Sequence, residues 1–207
     1  YDAMAEPGPY SPDARAAGKR ALRHGALAYL SRVDGGARAR AQFAQADNMT
    51  EQLGALAVLI EIGQAEDALA DFLRQWRHDR LVMDKWFALQ VMHAAPAEAA
   101  ATARGLTEHE LFDWKTPNRF RSVIGALAMN PAGFHDPSGA SYRLVTDWLI
   151  RLDPVNPQTT ARLTTAFETW ARYDADRQAL IRAELERLRA RPGLSRDTSE
   201  MVDRILG

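Results

Sequence analysis

The hydrophobic positions recur at three- and four-residue intervals along nearly the whole chain, and no stretch alternates with the two-residue period of a half-buried strand. Leu22, Ala26, Tyr29 and Leu30 share one helical face, Leu53, Leu56, Ala57 and Ile60 another, and Leu180, Ile181, Leu185 and Leu188 a third. Short breaks holding Gly, Pro, Asp or Asn separate these stripes. The pattern predicts helices over Ser11–Arg32, an Ala-rich segment ending at Ala46, a third helix ending near Gly63, and then Ala65–His78, Val82–His93, Ala97–Arg104, Thr107–Phe112, Pro117–Met129, Ser138–Leu152, Pro157–Tyr173, Asp174–Arg191 and Ser195–Leu206. Ser11 before Pro12, and Pro117 and Pro157 near their own starts, are initiation signals, while Pro192-Gly193 is a stop. Helix follows helix through short loops, so the fold class expected is all-α, an irregular α-solenoid of stacked antiparallel helix pairs over residues 1–207. No fixed-period repeat is visible, and a compact helical bundle is the alternative architecture.

Composition narrows the function classes. The 207 residues carry 26 Lys and Arg against 27 Asp and Glu, a formal charge of −1, so no global field attracts nucleic acid or an anionic membrane surface. The longest apolar run, Leu53–Ile60, falls far short of the ~20 residues that span a bilayer, and no membrane partner is expected. There is no cysteine, which removes disulfides, thiolate-ligated zinc and a thiol nucleophile, and agrees with a cytoplasmic location. The opening "YDAMAEPGPYSP" has neither an initiator Met nor the order of a signal peptide, and the chain reads as a piece of something longer.

Three stretches hold candidate chemistry. "LTEHELFDWKT" (Leu106–Thr116) places His109, Glu110 and Asp113 as H-E-x-x-D, one residue away from the H-E-x-x-H signature. That signature works because two histidines at i and i+4 converge on zinc from one helix face with the glutamate over a bound water. Here Thr107 and Glu110 also form a capping box, T-x-x-E, so the favoured reading is the capped start of a short structural helix. In "LVMDKWFALQ" (Leu81–Gln90), Met83, Trp86, Phe87 and Gln90 form a core stripe. In "PNRFRSVIGALAMNPAGFH" (Pro117–His135), Arg119 and Arg121 open a helix where positive charge opposes the dipole. Each needs a partner, either an internal carboxylate or a negatively charged ligand group. Phosphate loops and serine-nucleophile elbows are missing from the sequence.

Those last two stretches, with "SPDARAAGKRALRHGALAYL", "ADNMTEQLGAL", "NPQTTARL" and "RYDADRQALIRAELERL", resemble the C-terminal domain of bacterial aminopeptidase N, a zinc-dependent peptidase of the gluzincin class. The likeness covers nearly the whole chain. It implies a four-domain parent whose thermolysin-like domain carries H-E-x-x-H, a distal glutamate ligand, G-x-M-E-N and a transition-state tyrosine, none of which is present here. It further implies that this domain closes over the catalytic domain of the same chain, forms the substrate chamber and restricts entry to short peptides. Zinc belongs to the parent; no cofactor and no catalytic residue is expected in this fragment, which alone should be inactive. By the resemblance, Arg121 faces the internal cavity, with Gln158 and Arg162 as companions one helical turn apart. Their implied role is to bind the carboxylate or backbone of the peptide beyond the scissile bond, with internal pairing as the alternative for each. The rival functional class is an independent helical scaffold that holds another protein on a concave face.

Overall fold

The computed structural model describes residues 1–6 and 8–207, and its chain divides into two compact units, Tyr1–Trp86 and Phe87–Gly207. Helices account for the regular structure of the described residues, as the hydrophobic period requires.

The first unit holds α1 (Ala14–Asp34), α2 (Ala37–Gln45), α3 (Met49–Glu61), α4 (Glu66–Trp76) and the beginning of α5 (Arg80–Met92). The cap of α1 is Asp13, two residues later than the sequence signal at Ser11, and its carboxylate accepts a 3.0 Å hydrogen bond from the Ala16 amide. Gly35 and Gly36, both left-handed, end α1 and turn the chain directly into α2. α1, α2 and α3 pack on one another, and α3 packs on α4. Leu27, Ala39, Leu56, Leu59 and Phe72 fill the core between them. Buried Gln52 ties α3 to α4: it donates to Gln75 Oε1 at 3.0 Å and accepts from Trp76 Nε1 at 3.2 Å. One expectation inverts here. Leu22 and Tyr29 of the α1 stripe face outward, while Arg20 and Ser31 on the opposite side are buried.

The second unit is built around α10 (Ala140–Leu152), which contacts α6 (Ala99–Thr107), α8 (Ala126–Ala128), α9 (Pro131–Phe134), α11 (Pro157–Thr164) and α12 (Ala175–Arg189). The short α7 (Pro117–Phe120) leads through a π-helical turn, Arg121–Gly125, into α8, and α13 (Arg196–Leu206) packs on both α11 and α12. Ile181, Leu185 and Leu188 of the α12 stripe are buried, as their spacing predicts, and so are Met83, Trp86 and Phe87 of α5.

Several segments differ from their sequence-based assignment: α9 falls outside the expected helices, the π turn interrupts the helix expected over Pro117–Met129, and two further helices change as follows. The helix expected over Thr107–Phe112 does not exist, because α6 runs on to end at Thr107, and the Thr107 hydroxyl donates back to the Arg104 carbonyl at 2.7 Å instead of capping a new helix. The single helix expected over Pro157–Tyr173 is α11 followed by two 3-10 turns, Thr165–Phe167 and Trp170–Arg172.

Asn130 ties the end of α5 to α9, and Gly133 brings the start of α6 against it. Asn130 is buried, donates to the Val91 carbonyl at 3.0 Å and accepts from the Gly133 amide at 3.0 Å. A Cβ at Gly133 would sit 2.4 Å from the Ala99 Cβ, an atom that cannot rotate away. We expect Gly133→Ala to force α6 and α9 apart and to cost about 2 kcal/mol, the range for overpacking a dense core. Urea denaturation should show the loss as a lower midpoint at unchanged slope; an unchanged midpoint would contradict the close approach.

Candidate functional site

The near-signature dissolves first. Residues 108–113 are turn and loop, so His109 and Asp113 do not stand one helical turn apart on one face. The His109 Nδ1 accepts from the Leu111 amide at 3.1 Å, and its ring lies edge-on to Phe87 with centroids 5.5 Å apart. Among the described residues no cluster of three His, Asp or Glu side chains has the arrangement of a metal site. The donors of the described residues therefore do not fit a zinc centre.

Arg119 and Arg121, on either side of Phe120 in the sequence, part company in the structure. Arg119 is buried, donates to the Leu111 carbonyl, and holds its guanidinium 4.8 Å from the centroid of the Phe87 ring. It is an internal brace for the 108–116 loop. Arg121 is exposed and opens the π turn, where the Ala126 amide reaches back five residues to the Arg121 carbonyl. Its side chain donates to Asn118 Oδ1 at 2.7 Å, a neutral amide, and among the described residues no carboxylate pairs with it.

Gln158 and Arg162 stand on the outer side of α11. Asn156 caps this helix through a 3.0 Å bond from the Thr159 amide, and Pro157 supplies a fixed first turn. Thr160, Ala161 and Thr164 face inward, so Gln158 and Arg162 are left exposed with a four-residue separation. Arg162 in the last turn suits the carbonyl-rich end of α11. It too has no carboxylate partner among the described residues.

The π turn and α11 are neighbours. The space at Gly125, where a Cβ would point, lies 3.3 Å from Arg121 Cβ and 3.7 Å from Leu163 Cδ2. The three side chains expected from the resemblance thus sit on two segments that approach one another at Gly125 and Leu163, all solvent-facing, without hydrogen bonds to one another. This arrangement can accept an anionic or carbonyl group through charge-assisted bonds. A feature that the sequence reading passed over lies on α10, where the Arg151 guanidinium sits 4.7 Å from the Trp114 ring and 4.8 Å from Trp148. The three-residue spacing of Trp148 and Arg151 was its available signal.

Comparison with known proteins agrees with the fold and the resemblance. The chain is 40% identical over 206 residues to an aminopeptidase N of Caulobacter vibrioides, covering 97% of this chain and 24% of that protein. It is 38% identical over 194 residues to aminopeptidase N of Escherichia coli, covering 91% and 22%. A crystal structure of Legionella pneumophila aminopeptidase A in complex with aspartic acid superposes with a TM-score of 0.90 at 31% identity, over 99% of this chain and 25% of that one. The chain spans about a quarter of the length of these relatives, in their C-terminal region. Residues 1–207 match throughout the family described as "Domain of unknown function (DUF3458_C) ARM repeats", and the chain belongs to that family.

Proposed function

We propose that residues 1–207 serve as a single helical C-terminal domain of a cytoplasmic, zinc-dependent aminopeptidase N, closing over the catalytic domain of the same polypeptide and walling a chamber for short peptides. In this reading the zinc and the residues that activate water belong to the rest of the parent, and this domain contributes substrate contacts. The observation that carries it is the pair of exposed guanidinium groups, Arg121 and Arg162, without carboxylate partners on adjoining segments, accompanied by Gln158. A solvated, unpaired guanidinium gives up little to bind a peptide carboxylate, and the planar fork can hold both oxygens at once.

Zinc held by the rest of the parent would supply the activated water at the first peptide bond, and groups of this domain that grip the far end of the peptide would orient the scissile carbonyl without touching it. Substrates with residues beyond the cleavage point should feel these side chains, and an aminoacyl amide should not. In the full-length enzyme, Arg121→Ala, Gln158→Ala and Arg162→Ala should each lower kcat/KM on di- and tripeptides. For the arginines the drop should be about 10- to 100-fold, since a charged hydrogen bond contributes about 1.5–3 kcal/mol. Turnover of an amide with nothing past the cleaved bond should be unchanged. Equal losses on both substrate types would remove the peptide-binding role.

A further inference from the structure

Besides the buried Ala16 and Leu27, α1 carries polar groups inward and large apolar ones outward. Its buried side carries Arg20, Arg23, His24 and Ser31, each with a side-chain nitrogen or oxygen that is buried and lacks a hydrogen-bond partner. Its outer side carries Leu22, Tyr29 and Val33, which are 60%, 79% and 88% exposed and lie on one face at seven- and four-residue steps. Gly18 and Gly25 lie on the same face, one heptad apart. Both sit in the middle of a 21-residue helix, where glycine weakens the helix relative to alanine. Nothing among the described residues needs them, since a Cβ at either position would meet none of their atoms within 4 Å. Small residues of this kind let a second backbone approach closely.

We propose that the outer face of α1 is covered by a helix from the preceding part of the same polypeptide, seated over Gly18 and Gly25 and burying Leu22, Tyr29 and Val33. The occupant is chosen by two facts. The chain matches the C-terminal region of relatives about four times its length, so most of such a polypeptide precedes α1. The family is one of ARM repeats, in which each repeat buries its apolar side against its neighbours in sequence, and α1 is the first α-helix of the first unit. The outer stripe is then the continuation of a helical stack. This rests on the placement of the chain within a longer polypeptide and is independent of any role in peptide hydrolysis.

Hydroxyl-radical footprinting of the unmodified full-length protein tests it without any substitution. Tyr29 should be oxidised roughly tenfold more slowly in the native protein than in the urea-unfolded one, because the core of such a contact excludes water. That protection should survive dilution. Oxidation of Tyr29 at the unfolded rate would overturn the proposal, and protection that fades on dilution would assign the face to a second copy and equally overturn it. As a second arm, Gly25→Leu in the full-length protein should lower Tm, because the new side chain meets the covering helix; an unchanged Tm would overturn the close approach. Neither readout uses peptidase activity, so failure of the peptidase reading leaves both intact.

Discussion

Asp153→Ala should cost this fold about 3 kcal/mol, one of the two largest single-residue losses expected. Asp153 closes α10, is only 2% exposed, and its carboxylate gathers the beginning of α13. It accepts from the Ser195 amide at 2.7 Å, the Ser195 hydroxyl at 2.6 Å and the Thr198 hydroxyl at 2.5 Å. Two of these donors are side chains and the third is a helix-terminal amide, where a negative charge is favoured by the dipole. Alanine would take the acceptor from all three, leaving the Thr198 hydroxyl in a buried position and the Ser195 groups in a half-buried one, and an unmade bond costs more than a made one contributes. Urea denaturation should show a reduced midpoint, with Asp153→Asn falling between the wild type and alanine because one acceptor oxygen survives. A loss no larger than that of an ordinary surface substitution would mean that α13 is held by its apolar face alone.

Phe134→Ala should be larger still, about 4 kcal/mol, the range for emptying a buried aromatic site. Phe134 is almost wholly buried at the end of α9, with ring centroids 5.2 Å from Tyr142 and 5.3 Å from Phe167. It therefore links α9, α10 and the 3-10 turn after α11, and no single neighbour can collapse into the space. The same cluster continues to His135, which stacks on Tyr173 at 3.9 Å and whose Nδ1 lies 2.8 Å from the Tyr142 hydroxyl. Burial pushes the Tyr142 phenol up to about 12. Tyr142→Phe removes one hydrogen bond and little volume, so it should cost about 1 kcal/mol. If it proves as damaging as Phe134→Ala in thermal unfolding, the cluster depends on its polar contact more than on its packing.

The parts of this fold that the sequence makes legible are those encoded locally. Asn156-Pro157, Asp174 and Ser195 each carry a polar cap in front of a helix, and each helix starts where the cap says, whereas Asn130-Pro131, which reads as the close of the helix before it, also starts α9. Stripes with a one-sided apolar face, such as that of α12, are read correctly because burial follows period. The failures have a common cause in context. Thr107 satisfies the letter of a capping box, but a cap needs an extended residue, and the helix before it had not stopped. The α1 stripe was equally periodic, yet period alone does not say which side faces the rest of the unit. Of the candidate site, the identity of Arg121, Gln158 and Arg162 came from likeness to a family, and the four-residue step of the last two from helical spacing. The approach of their segments at Gly125 and Leu163 is long-range and has no local signal.

The π turn carries a consequence for sequence length. A π turn holds one residue more than the α-helical turn it replaces, so the two ends of the Pro117–Ala128 stretch are out of phase by about 100° relative to an unbroken α-helix. Removing one residue from Arg121–Gly125 would let the turn heal into regular helix and swing α7, with Arg119 and the loop it braces, around the axis of α8. Relatives that differ by a one-residue gap at this point would therefore present a different side chain where Arg121 stands, even where every aligned residue is the same. Length, as much as residue identity, is what sets the direction of that arginine.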